Sequence, residues 1–374
     1  MSLLTRAKAH APDYWFLASV GILLVVGLIV LASASAPVGF ERFGDKYFFV
    51  KRQLLFGVLP GLALFALASW LDYHWMRRYL WGWYALTIVL LLLSFVPGIG
   101  QTINGAQSWI HVGNFSLQPS EIAKGTFAVF MALWLEGRGR FGMVRFVQDF
   151  LVFVGLMTVP AAILMRQPDT GTMMIMVGMA FVLLVAARSK LSHIVTLLAV
   201  GAALVAIMIA SAPYRAERIN TFLHPELDPQ GVGYQINQAF LAVGSGGWFG
   251  VGYGNSRQKF QYLPEVSTDS IFAVFAEEMG FVVSSIFLVL VLTLFVRALH
   301  IARYSPDPFG MYLAVALAAW FGCQAFINIG AMLGLLPLTG VPLPLVSHGG
   351  TALLVQLGAL GVLTNISRQT RATV

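Results

Sequence analysis

The sequence predicts an all-α polytopic membrane protein with ten transmembrane helices and a long extracytoplasmic loop between helices 7 and 8. Hydrophobic residues make up 58% of the 374 residues and charged residues only 10%, against roughly 25% charged residues in an average soluble domain. The apolar residues form long blocks, with Lys and Arg clustered between them. This composition excludes a water-soluble globule. The single cysteine, Cys323, excludes a disulfide framework and a cysteine-ligated metal site.

Ten apolar blocks are candidate membrane spans within one domain that covers residues 1–374. They lie at residues 15–34, 53–71, 79–97, 122–135, 149–165, 172–187, 192–211, 271–297, 310–334 and 350–366. The fourth span is short and carries Lys124. A tilted or partly buried helix is therefore expected there rather than a lipid-facing one.

The distribution of basic residues predicts that both termini are cytoplasmic. Under this orientation every inner segment has at least two Lys or Arg in it or at its edge, whereas the outer connections 98–121 and 335–349 have none. The outer connection 35–52 is the exception, because it carries four. The positive-inside rule then places the long connection 212–270 outside the cytoplasm.

Polar residues collect at the outer end of the fourth span. Ser120 is positioned to cap this helix, and Glu121 suits its positive N-terminal dipole. Lys124 lies one turn further into the apolar helix, where a cation is costly unless it snorkels outward or pairs with an anion. Capping and ligand binding both account for this cluster.

A second polar cluster joins the fifth and sixth spans. Asp169 is suited to cap the sixth helix, whereas the guanidinium of Arg166 is suited to bidentate contact with a phosphate or carboxylate. An internal ion pair between Arg166 and Asp169 is the alternative to a substrate contact.

The 212–270 connection is the strongest candidate for a functional segment. Connections of this length in compact proteins are usually functional or disordered, and its aromatic residues and paired glycines argue against disorder. It contains Arg215, Arg218 and a glycine-rich run over 244–256. Glycines of this kind expose N–H groups that can approach an oxyanion.

Carboxylates follow the glycine-rich run. Lys259 and Glu265 precede Asp269, which is either a cap of the eighth span or a functional carboxylate beside cationic neighbours. Glu277 and Glu278 lie deeper in the same span. Because adjacent helix positions point about 100° apart, at least one of these two requires a partner or a cavity.

The last outer connection, 334–350, contains three prolines, four glycines and no Asp, Glu, Lys or Arg. This composition predicts a rigid, partly embedded loop whose backbone is buried or lines a cavity. Ser347 and His348 lie near its end. No second histidine has ligand spacing, so a metal role for His348 is not supported.

Motifs along nearly the whole chain resemble one family. They are Asn104-Gly105-Ala106 with Trp109-Ile110, Gln118-Pro119-Ser120-Glu121, Gln167-Pro168-Asp169 with Gly171-Thr172, Gly233-Tyr234-Gln235, the 244–256 run, Leu263-Pro264-Glu265 with Thr268-Asp269, Ala276-Glu277-Glu278 with Gly280, and Gly340 with Pro342-Leu343-Pro344, Ser347 and Gly349-Gly350. The chain resembles the SEDS proteins (shape, elongation, division and sporulation), which polymerise peptidoglycan glycan strands. Residues 255–265 resemble the division branch, FtsW, more than the elongation branch, RodA.

The chain departs from the SEDS pattern at a few positions. Ser267 and Ser270 flank the Thr-Asp pair where the family usually has His and Phe, and His348 replaces the usual Tyr. Gln107 and Ser108 stand where basic residues are common. The Thr268-Asp269 pair itself is intact.

The resemblance implies a reaction that joins lipid II units and releases undecaprenyl pyrophosphate. Asp269 takes the role of the catalytic base. Substrate-binding roles fall to Glu121, Lys124, Arg166, Arg215, Arg218, Lys259 and Ser347, and structural or secondary roles to Asp169, Glu265, Glu277 and Glu278. A divalent cation, Mg²⁺ or Mn²⁺, is left open as a cofactor, and no organic cofactor is expected.

The resemblance also implies a location and partners. The expected location is the bacterial inner membrane, among membrane lipids, with roles in cell division and cell shape. The expected partners are lipid II, the undecaprenyl-linked glycan strand and a class B penicillin-binding protein, with no nucleic acid.

Two alternatives from other functional classes remain. A lipid II flippase would use the embedded polar residues as a headgroup path without bond formation. Most polar groups lie at the outer boundary, with Glu277, Glu278, Gln324 and Asn328 as the deeper exceptions, and this distribution favours the polymerase. A non-catalytic scaffold for a penicillin-binding protein is the second alternative.

Overall fold

The computed structural model describes residues 10–98, 100–103, 106–112, 115–137, 148–210, 221–222, 224 and 231–370. The N-terminal half contains α1 (Tyr14–Ala34), α2 (Ala36–Phe43), α3 (Phe48–Gln53), a π-helical turn (Leu54–Val58), α4 (Leu59–Trp70), a 3₁₀ helix (Tyr73–Tyr79) and α5 (Leu80–Leu93). Next come β1 (Gly100–Ile103), β2 (Ala106–Val112), β3 (Phe115–Leu117) and α6 (Pro119–Glu136).

The remaining described helices are α7 (Gln148–Arg166), α8 (Thr170–Ala186), α9 (Leu191–Ala210), α10 (Val232–Ser245), α11 (Ile271–Tyr304), α12 (Pro308–Met332) and α13 (Gly350–Ser367). Aspartate side chains cap the N-termini of several helices, as expected from the preference for Asp at the N-cap position. Asp13 accepts a hydrogen bond from the N–H of Phe16, and Asp307 accepts one from the N–H of Gly310.

Five helical stretches among the described residues are long and apolar enough to cross a membrane. They are Tyr14–Ala34, Phe48–Trp70, Ile271–Tyr304, Pro308–Met332 and Gly350–Ser367. Shorter apolar helices cover Leu151–Arg166, Thr170–Ala186 and Leu191–Ala203. The predicted all-α membrane class is therefore supported in its coarse form, and the count of ten spans remains a prediction.

One small sheet was not anticipated by the all-α prediction. β2 pairs antiparallel with β1, with Gly100 opposite Ile110, and antiparallel with β3, with Val112 opposite Phe115. The hydroxyl of Thr351 at the start of α13 donates to the main-chain carbonyl of Ser116, at 3.1 Å. The sheet is therefore attached to the end of α13.

α12 lies in the core of the fold. It is buried along most of its length and packs against α6, α8 and α11. α6 is also buried almost throughout, as expected for the span that carries Lys124. The 334–350 loop returns into this core, where Val341, Leu343 and Ser347 are buried. It lies beside the start of α11, where the candidate site is found.

Candidate active site

The site begins at the junction between the 246–270 segment and α11. The N-cap of α11 is Ser270, whose side chain makes no capping hydrogen bond. Asp269 lies one residue earlier, partly buried, and its carboxylate does not cap the helix. The capping interpretation of Asp269 was therefore wrong, because the helix starts one residue too late for it.

The backbone around Asp269 is held by an unusual set of hydrogen bonds. The carbonyl of Ser267 accepts from the N–H of His348 at 2.8 Å, and the carbonyl of Thr268 accepts from the hydroxyl of Ser347. The carbonyl of Asp269 accepts from the side-chain amide of Asn328 at 2.7 Å. Consecutive carbonyls of one short segment are thus tied to the 334–350 loop and to α12.

The side chain of Asp269 has a second carboxylate as a neighbour. The hydroxyl of Thr268 lies 2.8 Å from Oε2 of Glu265 and 3.2 Å from Oδ1 of Asp269. Burial, together with the negative charge of Glu265, raises the pKa of the Asp269 carboxyl to about 6. Near neutral pH such a group is ionised yet basic enough to accept a proton.

Lys259 lies in a different cluster from Asp269. Its ammonium is buried, 2.7 Å from Oε1 of Glu278 and 2.9 Å from the hydroxyl of Ser33 on α1. The same Ser33 hydroxyl donates to the Glu278 carboxylate. The expectation that Lys259 accompanies Asp269 was wrong, because the ammonium neutralises a deeper carboxylate instead.

The neighbouring carboxylate, Glu277, holds the loop that precedes Asp269. It accepts hydrogen bonds from the hydroxyl of Ser256 and from the N–H of Arg257, the latter at 2.9 Å. Both Glu277 and Glu278 are buried. Each therefore has a partner within the protein, which satisfies the requirement inferred from their adjacent positions.

The glycine-rich run packs directly against a break in α11. Gly280 has φ 73° and ψ −178°, and a Cβ there would collide with the backbone nitrogen of Gly250. Around this break, Val251 and Gly252 donate their N–H groups to the carbonyls of Glu277 and Glu278, each at 3.0 Å. These N–H groups hold the fold together rather than point at a ligand.

Lys124 and Glu121 form a buried ion pair on α6. The ammonium lies 2.8 Å from Oε1 of Glu121 and 2.9 Å from the side-chain oxygen of Gln324 on α12. Ser120 does not cap α6: the helix starts at Pro119, so Gln118 is the N-cap and Ser120 lies inside the first turn. Of the alternatives for Lys124, the structure shows pairing with an anion.

The connection between α7 and α8 separates its two charged residues. Asp169 caps α8, since its carboxylate accepts from the N–H of Thr172 at 3.0 Å. The Arg166 side chain is exposed, and the described residues include no ion pair between Arg166 and Asp169. Arg215 and Arg218 lie outside the described residues.

The described residues do not form a cation cage. No group of three or more His, Cys, Asp or Glu side chains converges within the described ranges. Mg²⁺, however, is usually bound through one or two carboxylates together with substrate phosphates. Glu265, beside the Asp269 carboxylate, therefore fits a cation shared with a phosphorylated substrate.

Two further carboxamides, to which the sequence assigned no site role, help to build this site. Gln53 makes two hydrogen bonds with the 334–350 loop. Its side chain donates to the carbonyl of Ser347 at 3.2 Å and accepts from the N–H of Gly349 at 3.0 Å. Gln235 on α10 donates to the hydroxyl of Ser270 at 2.9 Å. Gln235 belongs to the Gly233-Tyr234-Gln235 motif, whereas the signal for Gln53 is only that it is a carboxamide in an apolar segment, where an unpaired amide is costly.

The chain matches the FtsW, RodA and SpoVE family model, described as cell cycle protein, over residues 14–372. The chain belongs to this family. The match spans the described helices and the Asp269 segment together, so the predicted SEDS membership is confirmed.

Individual SEDS relatives align over nearly their full length. The stage V sporulation protein E of Bacillus subtilis (strain 168) is 41% identical over 364 residues, covering 97% of this chain and 99% of the relative. A probable peptidoglycan glycosyltransferase FtsW of Geobacter sp. (strain M18) is 38% identical, covering 94% of this chain and 95% of the relative.

Solved structures of similar proteins share the fold. One, from a study of the structural coordination of polymerization and crosslinking by a peptidoglycan synthase complex, superposes with a TM-score of 0.80 at 28% identity, covering 96% of this chain and 99% of that one. The rod shape determining protein RodA of Thermus thermophilus gives a TM-score of 0.71 at 26% identity, covering 97% and 98%.

Proposed function

We propose that this chain is a peptidoglycan glycosyltransferase of cell division that polymerises glycan strands from lipid II. Its SEDS membership and its relatives named peptidoglycan glycosyltransferase FtsW support this activity. The observation that carries the proposal is the Asp269 carboxyl, which is partly buried, anchored through its backbone and raised in pKa to about 6.

In the proposed reaction Asp269 is the general base. The hydroxyl oxygen of one lipid-linked sugar attacks the anomeric carbon of the other, and the hydroxyl proton passes to the Asp269 carboxylate. The bond from the anomeric carbon to the pyrophosphate oxygen breaks, and undecaprenyl pyrophosphate leaves with its electron pair. A positioned base of matched pKa contributes roughly 10²- to 10⁴-fold to such a step.

Stabilisation of the leaving pyrophosphate is assigned to arginines. Arg166 presents an exposed guanidinium, and guanidinium groups bind phosphate oxygens bidentately. Arg215 and Arg218 keep the same proposed role. Lys124 and Lys259 are given structural roles instead, because each is buried and ion-paired with a glutamate.

A divalent cation remains part of the proposal. When bound, Mg²⁺ or Mn²⁺ would neutralise charge on the pyrophosphate. Glu265 would hold it jointly with the substrate, which leaves the Asp269 carboxylate to accept the proton. A requirement for added Mg²⁺ or Mn²⁺, lost in the presence of EDTA and restored by the metal, is the expected result.

The proposal includes a topology and a partner. Ten spans in a bacterial inner membrane, with cytoplasmic termini, place Asp269 and the 212–270 loop outside. Labelling of a cysteine at Gln230, in a Cys323→Ala background, by an impermeant thiol reagent in intact spheroplasts tests this placement. The relative solved in a polymerization and crosslinking complex supports a class B penicillin-binding protein as the partner.

The flippase alternative is less well supported by the contacts. The deep polar side chains that would form its headgroup path already bond within the protein: Glu277 to the 256–257 segment, Glu278 to Lys259, and Gln324 and Asn328 to loop carbonyls. A path through them would require these bonds to break. The scaffold alternative is distinguished from the polymerase by an assay of polymerisation.

The deciding experiment uses the purified chain with labelled lipid II, with and without its partner, analysed for glycan polymer on a gel. Polymer formation that depends on the chain supports the polymerase. Transport of lipid II across proteoliposomes without polymer would support the flippase. Polymer made only by an added partner with its own polymerase activity would support the scaffold.

A further inference from the structure

The carboxylate of Asp269 accepts hydrogen bonds from the side chains of Thr268 and Gln235. The hydrogen bond to its side chain from the neighbouring Thr268 is long, at 3.2 Å. The direction of the carboxylate also depends on where the backbone of residue 269 is held. The preceding carbonyl, that of Thr268, is held by Ser347, and the carbonyl of Asp269 itself is held by one buried side chain, Asn328 of α12, at 2.7 Å.

The amide nitrogen of Asn328 makes two bonds. It donates to the carbonyl of Asp269 at 2.7 Å and to the carbonyl of Val341 at 2.8 Å. An NH₂ group has two hydrogens, so this donor is fully used. Asn328 is 2% exposed. It thus joins the start of α11 to the 334–350 loop at a single buried point.

Gln324 continues the arrangement one helical turn earlier, on the same face of α12. Its side-chain nitrogen donates to the carbonyl of Pro342 at 2.9 Å, and its oxygen accepts from Lys124 at 2.9 Å and from the indole of Trp320 at 2.7 Å. Gln324 and Asn328, one turn apart, therefore hold consecutive carbonyls of the loop. The side chain of Gln324 is itself held by the buried Lys124.

From this geometry we propose that Asn328 is a positioning residue that places the Asp269 carboxylate for proton transfer by holding its main-chain carbonyl. The inference rests on the proposed function, because it assumes that Asp269 is the base. Asn328 touches neither reacting atom. Displacement of a catalytic group by about 1 Å can cost on the order of 100-fold in rate, so loss of this anchor should lower the rate of the chemical step.

The test compares two substitutions at position 328 in the purified, partner-bound protein with labelled lipid II. Asn328→Asp keeps the size but places an oxygen against both carbonyls, and Asn328→Ser keeps a single donor without adding charge. The expected result is a kcat lowered by roughly 10- to 100-fold in Asn328→Asp and by less in Asn328→Ser, with KM for lipid II unchanged in both.

The matched control is Asn365→Asp on α13. Asn365 is also buried, and its amide bonds the carbonyl of Ser69 at 2.9 Å and the N–H of Tyr73 at 3.2 Å, with no bond to the Asp269 segment. Activity per folded molecule should be unchanged in this variant. The folded amount is measured by size-exclusion chromatography.

A double substitution distinguishes a positioning role of Asn328 from a general loss of structure in the site. If Asn328 acts through Asp269, then Asn328→Ser with Asp269→Asn retains the activity of Asp269→Asn alone, whereas independent damage multiplies the two losses. Wild-type kcat in Asn328→Ser, multiplied losses or an effect on KM alone would overturn the inference. Full activity of Asp269→Asn by itself would instead overturn the base assignment in the proposed function.

Discussion

The ammonium of Lys259 lies 2.7 Å from the carboxylate of Glu278, and both side chains are 3% exposed. This ion pair joins the loop before Asp269 to the broken helix α11. The Ser33 hydroxyl bonds both charged groups, so α1 contributes to the same cluster. The pair therefore stabilises the segment that carries the proposed base.

Removal of one member of this pair is expected to destabilise the protein strongly. Glu278→Gln or Lys259→Met alone should cost about 3–5 kcal/mol, since each leaves a buried charge uncompensated, whereas the double substitution should recover much of the loss. Denaturation of the detergent-solubilised protein measures this. The control is Lys51→Met, whose exposed pair with Asp45 should contribute little to stability because water and salt screen it. Equal stability of single and double variants would contradict the assignment.

Gly280→Ala tests the break in α11. A Cβ at Gly280 would collide with Gly250 and would require a left-handed backbone, at φ 73°; strain of this kind costs about 1–3 kcal/mol before any collision is counted. The melting temperature and the folded yield should both fall. Gly155→Ala is the control, because its Cβ would meet open space on helix α7 and should gain about 0.5–1 kcal/mol. A neutral Gly280→Ala variant would contradict this packing.

The pH dependence of polymerisation should follow Asp269. Its pKa is raised to about 6, and only the ionised form accepts a proton, so the rate should fall as the pH is lowered through about 6. Glu265→Gln removes the neighbouring negative charge and should move this acid limb to lower pH. Asp45→Asn, at an exposed carboxylate paired with Lys51, should leave the limb in place. Initial rates measured between pH 5 and 8 provide the comparison. An acid limb that stays in place in Glu265→Gln would contradict its assignment to Asp269.

Asp307, at the opposite end of α11 from Asp269, is expected to affect stability only. Burial alone would raise its pKa, but hydrogen bonds from His74, Tyr73 and the backbone of Gly310 outweigh it and lower the pKa to about 2. Its stabilising contribution should be complete above the ordinary pKa of 3.8 and lost as the pH falls toward 2. Asp307→Asn should cost about 1.5–3 kcal/mol for each charge-assisted bond lost. Reduced activity per folded molecule in this variant would contradict the assignment.

Much of the helical architecture could be predicted from hydropathy, because the bilayer imposes long apolar segments. The small sheet could not be predicted on that basis, since its strands are short and mixed in polarity. The Asn104-Gly105 pair is nevertheless typical of a β-hairpin turn, a signal that a hydropathy profile does not detect. The break at Gly280 was equally hidden, because a glycine within an apolar segment does not by itself indicate a kink.

The chemistry of the site was only partly accessible from the sequence. Asp269 could be selected from its motif and its position at a helix start. The partners of the lysines could not, because Lys259 and Glu278 meet only after the 246–270 segment folds back on α11. The role of Asn328 likewise depends on a loop that returns to α12 from further along the chain.

The most direct test of the base assignment is the rate of glycan polymerisation by Asp269→Asn, with lipid II and the partner present. Asparagine matches aspartate in size but cannot accept the proton, and the backbone bonds of Asp269 to Asn328 and of Thr268 to Ser347 are preserved. We expect normal folding and a rate lowered by about 100-fold or more, with Asp169→Asn, at the α8 cap, losing much less. Long glycan strands made at the wild-type rate by Asp269→Asn, at an equal amount of folded protein, would contradict the proposed mechanism.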